Sequence, residues 1–131
     1  MTAEIIASRL GRAVEFDPRL VEVSVGAWEG LFYADIAKDD PTFLTDREWF
    51  FRSPGGETYE DVMARVRAWL LEQEAESHRR LIVVSHGVAG RLLRGAYAGL
   101  SREATMQQDV PQDAIFRLSG GQVERLECQK V

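Results

Sequence analysis

Leu81-Ile82-Val83-Val84-Ser85-His86-Gly87 sets four consecutive aliphatic residues ahead of a histidine and a glycine. A short apolar run with no polar interruption reads as a strand covered on both sheet faces. Arg80 bounds it on one side and the Ser-His-Gly turn on the other. Gly87 leads into a helical pattern, Val88 to about Ala98, with Leu92, Leu93 and Tyr97 available for burial. Strand, histidine, glycine and helix in that order mark the place where open α/β sheets hold ligands. The helix start offers free N–H groups and a positive dipole, which suit the Gly87 region to an anion such as phosphate. Gly87 also lets the backbone approach that anion closely. His86 reads there either as a ligand-handling group or as a structural hydrogen-bonder.

Working outward, the longest helix lies just upstream. Ser53-Pro54-Gly55-Gly56 is a strong breaker, and Thr58 with Asp61 three residues on forms a capping-box pattern. The helix runs to about Ser77, with Val62, Val66, Trp69 and Leu70 on one face and charges opposite. Before it, residues 31–39 and 41–50 read as two short aromatic-rich helices split by Pro41. Leu20 to Gly30 alternates briefly and loosens into a glycine-bounded loop, and Ala13–Phe16 is a short strand closed by Asp17-Pro18. The chain opens in a helix pattern, with Thr2 as N-cap, Ile5, Ile6 and Leu10 on one face and Gly11 as the C-terminal cap. Downstream, Ser101 caps a short helix, and Ala114–Leu118, a Ser-Gly-Gly turn and Gln122–Cys128 form a hairpin.

That order predicts an α/β fold: a three-layer sandwich with a mostly parallel sheet. A strand such as 81–84 requires neighbours on both edges, and the chain supplies only Ala13–Phe16 and the terminal hairpin. The sheet is therefore expected to be N-terminally incomplete.

The 131 residues carry 16 Lys+Arg against 21 Asp+Glu, a net charge of −5, with 45% hydrophobic and 28% charged residues. This is the composition of a globular domain with a single core, and residues 1–131 are read as one domain. The acidic balance argues against nucleic acid as a partner, and no apolar run approaches the length of a membrane span. With no signal-peptide pattern, a cytoplasmic location is expected. Cys128, the single cysteine, excludes an internal disulfide, and two histidines, His78 and His86, leave little for zinc.

Glu22 sits among Leu20, Val21, Val23 and Val25. A carboxyl group desolvated by such neighbours can hold and donate a proton nearer neutrality, whereas the plainer reading pairs Glu22 with Arg19 or Arg12 at the surface. Ser85 and His86 are adjacent on a strand and point to opposite faces, so they form no nucleophile–base pair. No serine lies in the G-x-S-x-G elbow of an acyl hydrolase. Gly55-Gly56-Glu57 reads as a turn feeding a capped helix, because the strand and third glycine of a dinucleotide fingerprint are missing. Arg91 and Arg94 either add positive potential near a phosphate or, more plainly, form a solvated face paired with acids. The aromatics at 43–51 read as satellite core or a pocket wall instead of a nucleic-acid stacking surface, and Cys128 as a packed residue.

Three segments in order resemble the histidine phosphatase superfamily, the phosphoglycerate mutase-like proteins. They are Leu20-Val21-Glu22 with Gly26-Ala27-Trp28-Glu29-Gly30, then Pro54-Gly55-Gly56-Glu57-Thr58 with Asp61 and Arg65, then Val83-Val84-Ser85-His86-Gly87. Val110-Pro111-Gln112-Asp113-Ala114-Ile115 resembles the family's last strands, and Thr2-Ala3-Glu4-Ile5-Ile6-Ala7 the back half of its R-A-x-x-T-A helix. The resemblance implies phosphoryl transfer from a small phosphorylated substrate, through a phosphohistidine, with no metal or cofactor. It makes Glu22 the general acid and base, His86 the second histidine of the site, and His86 with Gly87 the phosphate-binding groups. The family's nucleophile lies in an R-H-G motif whose arginine clamps phosphate with the arginine of R-A-x-x-T-A. Neither motif is present here, and Met1 stands just before the threonine. The expectation is thus the C-terminal portion of a phosphoglycerate mutase-like domain, phosphatase rather than mutase, inactive alone. The alternative is a non-catalytic anion-binding pseudoenzyme or a partner-completed interaction module, with a homodimer forming through the exposed sheet edge.

Overall fold

The structure is a computed structural model that describes residues 1–76 and 78–129. Its centre is the crossing of two helices, α3 (Tyr59–Glu74) and α4 (Gly87–Ala98). In α3, Val62, Met63, Val66 and Trp69 recur at the three- and four-residue spacing that keeps side chains on one helix face. They meet Leu92 and Leu93 of α4, together with Val23, Phe51 and Tyr59, in one buried cluster. Val62, Val66 and Leu92 are fully shielded from solvent. Burying each aliphatic side chain of this kind contributes about 1.5–3 kcal/mol.

Local signals set the boundaries of these helices. The hydroxyl of Thr58 accepts the Asp61 N–H at 3.2 Å, and the Asp61 carboxylate accepts the Thr58 N–H at 2.9 Å, completing the predicted capping box. The helix was expected to run to about Ser77; it ends at Glu74, and Ser77 itself lies outside the described residues. Helix α4 closes on Gly99 in the left-handed region. Ser101 caps α5 (Arg102–Gln107) by accepting the Ala104 N–H at 3.1 Å. Strands β1 (Ala114–Ser119) and β2 (Gln122–Glu127) pair antiparallel, with positive φ at both turn glycines as a tight hairpin requires.

The 31–50 region holds α2 (Tyr33–Asp39) followed by two 3-10 turns, Phe43–Thr45 and Trp49–Phe51, in place of a second α-helix. Trp28, Ile36 and Phe43 form a second core packed by Trp49, as the satellite reading expects. The first helix, α1 (Thr2–Leu10), ends at Gly11 as predicted, but Met1 is its N-cap and it buries no residue.

The mixed helix-and-strand class holds, whereas the parallel strands do not pair. Among the described residues the only sheet is the β1–β2 hairpin. Leu81–Val84 and Ala13–Phe16 run without a ladder, and Ile82 is 66% exposed. An apolar run is covered only where neighbouring strands and overlying helices are supplied, and the described residues supply no paired strand to 81–84.

The loop carrying residues 20–30 is tied to the Pro54–Glu57 turn. Gly26 has φ +46°, and the Ala27 N–H donates to the Pro54 carbonyl at 2.8 Å. A Cβ at Gly26 would lie 2.4 Å from Pro54 O and Gly55 C. Glu57 reinforces the junction: its N–H donates to Ser24 O, its carboxylate accepts the Ser24 N–H at 2.9 Å, and Arg65 pairs with it. The Arg65 hydrogen bond is the chief reason the Glu57 carboxyl titrates below the usual glutamate range.

Two outcomes follow from this junction. Gly26→Ala should destabilise the fold by about 3 kcal/mol in urea unfolding, from overpacking against backbone and a strained φ. A loss under about 0.5 kcal/mol would mean that the turn yields. Because the folded-state value of Glu57 is depressed, its stabilisation is present above the unfolded-state value and lost as pH falls through the folded-state one. Glu57→Gln should therefore lower stability at neutral pH and flatten the acid limb of a stability–pH curve; parallel curves would refute the linkage.

Candidate functional site

The site assembles where the 20–25 loop meets the start of α4. Leu20 packs against the main core and Val23 is buried within it, which holds the intervening Glu22 half-buried beside that helix end. The Glu22 carboxylate accepts the Val88 N–H at 3.1 Å through Oε2 and the Ala89 N–H at 2.9 Å through Oε1. Oε1 also accepts the N–H of Val23 at 3.0 Å. The first N–H groups of a helix have no partner within it and carry its positive dipole end, so a carboxylate is well matched there.

This arrangement corrects two expectations. The Glu22 carboxylate meets backbone amides at three points, and its predicted surface partner Arg19 is engaged with Asp17 and Glu72. The helix start predicted to take a phosphate already has two of its amides filled by the protein's own carboxylate. Gly87 is where the two meet: a Cβ placed there would be 3.8 Å from Glu22 Oε2 and 3.6 Å from Val110 Cγ1.

His86 is the N-cap residue of α4, with extended backbone (φ −122°, ψ 175°) and a carbonyl that accepts the Gly90 N–H at 2.8 Å. Its side chain makes no capping hydrogen bond and is exposed. The backbone of His86 thus starts the helix while its imidazole is left for other contacts. Ser85, excluded as a nucleophile by strand alternation, donates its hydroxyl to the Leu20 carbonyl at 2.8 Å and ties the two site segments together.

The plain reading of Arg91 and Arg94 as a solvated face paired with acids is also corrected. Arg94 is buried at 7% exposure, stacks 3.9 Å over the Phe116 ring and donates to the carbonyls of Gly90 and Asp109. Burial lowers its pKa from the ordinary arginine value. Arg91 donates to Gln108 O at 2.8 Å. Together they fasten the 108–109 connector, which brings Val110 against Gly87. Cys128 is exposed, not packed.

The residues that sequence reasoning passed over are Glu57 and Arg65 as a pair. Arg65 donates to the carbonyls of Arg19, Val21 and Glu22 while bound to Glu57. The available signal was a charged residue between Val62 and Val66 on the buried side of α3, where a cation requires a partner.

Over 99 residues the chain is 34% identical to glucosyl-3-phosphoglycerate phosphatase of Mycobacterium tuberculosis, covering 66% of this chain and 44% of that protein. It is 30% identical over 108 residues to 6-phosphofructo-2-kinase/fructose-2,6-bisphosphatase of Caenorhabditis elegans, covering 80% of this chain and 23% of that one. A bifunctional protein of Mycobacterium tuberculosis is 43% identical over 70 residues, half of this chain. The chain spans 19% of that protein, so in these alignments it corresponds to a minor part of each curated relative. The mycobacterial glucosyl-3-phosphoglycerate phosphatase solved with inorganic phosphate superposes with a TM-score of 0.68 at 31% identity, over 82% of this chain and 57% of that chain. The α-ribazole phosphatase of Shigella flexneri shares the fold, with a TM-score of 0.76 at 21% identity over 98% of this chain and 67% of that one. The family model described as "Histidine phosphatase superfamily (branch 1)" matches residues 1–125, and the chain belongs to that superfamily.

Proposed function

We propose that residues 1–131 carry the acid–base half of a phosphomonoesterase site acting on a small phosphorylated metabolite. The observation that supports this most is the Glu22 carboxylate held at the His86-Gly87 helix start by two amides more than sixty positions away in sequence. A carboxylate has roughly four lone-pair sites. Three are in use, two on Oε1 and one on Oε2, which leaves the remaining site on Oε2, the oxygen nearest Gly87.

In this reading a substrate phosphoryl group lies beside His86 and Gly87. Glu22, protonated at Oε2, gives its proton to the leaving oxygen as the O–P bond breaks. The phosphoryl group passes to a histidine of an Arg-His-Gly segment, which residues 1–131 do not contain and which is supplied in cis or by a partner. Water then attacks phosphorus as the P–N bond to that histidine breaks, Glu22 takes the water's proton, and inorganic phosphate leaves. The imidazole of His86 and the Gly87 amide stabilise charge on the transferring phosphoryl oxygens. Hydrolysis is preferred to mutase chemistry because nothing in the site specifies a three-carbon phosphoglycerate.

A second reading, a partner-completed module, is favoured by one observation: the unladdered, partly exposed apolar run Leu81–Val84. Unpaired backbone along such a run is a template for another chain.

In a protein that supplies the Arg-His-Gly segment, Glu22→Gln and His86→Ala should each lower aryl phosphate hydrolysis by about 10²–10⁴-fold. Unchanged turnover in either variant removes that residue's role. The chain alone should show none; activity abolished by His86→Ala would mean that residues 1–131 form a working site with His86 central to it. Light scattering on the chain should find a dimer if 81–84 is covered by a second copy, and a well-folded monomer excludes that.

A further inference from the structure

Glu22 lies on a segment whose own secondary structure does not orient it. The chain there passes from a 3-10 turn at Pro18–Leu20 to another at Gly26–Trp28, with irregular backbone between. What lies against this segment on the side of α3 is the Arg65 guanidinium. It has five N–H donors in a rigid fork, and five hydrogen bonds are formed. Nε donates to Glu57 Oε1 at 2.8 Å, and Nη1 to the carbonyls of Arg19 at 2.8 Å and Val21 at 2.9 Å. Nη2 donates to Glu22 O at 3.3 Å and Glu57 Oε2 at 2.9 Å. Glu57 in turn holds residue 24 through both its backbone and its carboxylate.

Residue 22 is therefore gripped twice. Its carbonyl is held by Arg65 of α3 and its carboxylate by the first amides of α4. With every donor committed and its charge met by Glu57, Arg65 has nothing left for a phosphate.

We propose that Arg65, locked by Glu57, is the positioning residue that sets the direction of the Glu22 carboxylate onto Val88 and Ala89. Its catalytic meaning rests on the acid–base reading of Glu22; its structural content does not. The guanidinium works here as a jig for three carbonyls, a task a lysine cannot perform, since an ammonium offers three donors around a single point.

The test uses the whole chain, labelled with ¹⁵N, in an acid titration followed by the amide protons of Val88 and Ala89. Those protons point at the Glu22 carboxylate and respond to its protonation. In the unaltered chain both should shift along one curve, and Glu22→Gln should abolish that shift. Arg65→Met should reduce its amplitude at least twofold and Arg65→Lys should fail to restore it, while the Val66 and Leu92 amides keep their positions and report an intact core. Wild-type amplitude at Val88 and Ala89 in Arg65→Met overturns the proposal. If Arg65→Met does not fold, Glu57→Gln is read in the same way, and wild-type amplitude there overturns it equally. In a protein that supplies the Arg-His-Gly segment, hydrolysis that survives Glu22→Gln would defeat the acid–base role alone, leaving the spectroscopic result to stand or fall separately.

Discussion

The packing of α3 on α4 is the constraint from which the rest of the molecule takes its position. Val62 and Val66 meet Leu92 with no solvent access, and this contact aligns two features that have no local reason to be near each other. One is the guanidinium of Arg65, between those valines on α3. The other is the amide-bearing start of α4 at His86-Gly87. The 20–25 loop lies between them, pinned by Val23 in the same core, so Glu22 is reached from both sides. Dispersion and burial supply most of the free energy here, while the polar contacts choose one arrangement among many of similar burial.

The arginines that border the candidate site serve backbone carbonyls. Arg65, Arg91 and Arg94 all donate to main-chain carbonyls of irregular segments, those at 19–22 and 108–109. Irregular chain leaves carbonyls without ladder or helix partners, and buried carbonyls without partners are costly. A planar five-donor group can satisfy several at once, so the two loops that border the candidate site acquire a rigidity that their sequences do not confer. By contrast, the exposed ion pairs, such as Lys38 with Asp35, contribute little.

The anion chemistry at the head of α4 is already in use within the chain. A phosphate approaching His86 and Gly87 meets a helix end whose second and third amides hold Glu22. The Glu22 carboxylate and the His86-Gly87 backbone thus lie within the reach of one helix dipole.

Short-range chemistry made much of this legible in the sequence. The Thr58–Asp61 box, the hairpin over Gly120-Gly121, the Gly99 and Ser101 caps and the apolar faces of α3 and α4 each depend on residues a few positions apart, so pattern alone determines them. Glu22, His86 and Gly87 were found as candidates in the same way, by what flanks them. Tertiary structure decided the rest, because each remaining feature joins residues far apart in the chain. It filled the α4 amides with Glu22, turned Arg94 inward onto Phe116 and made Glu57 the partner of Arg65. It also left Leu81–Val84 without a ladder, since whether an apolar run becomes a covered strand depends on which segments lie beside it.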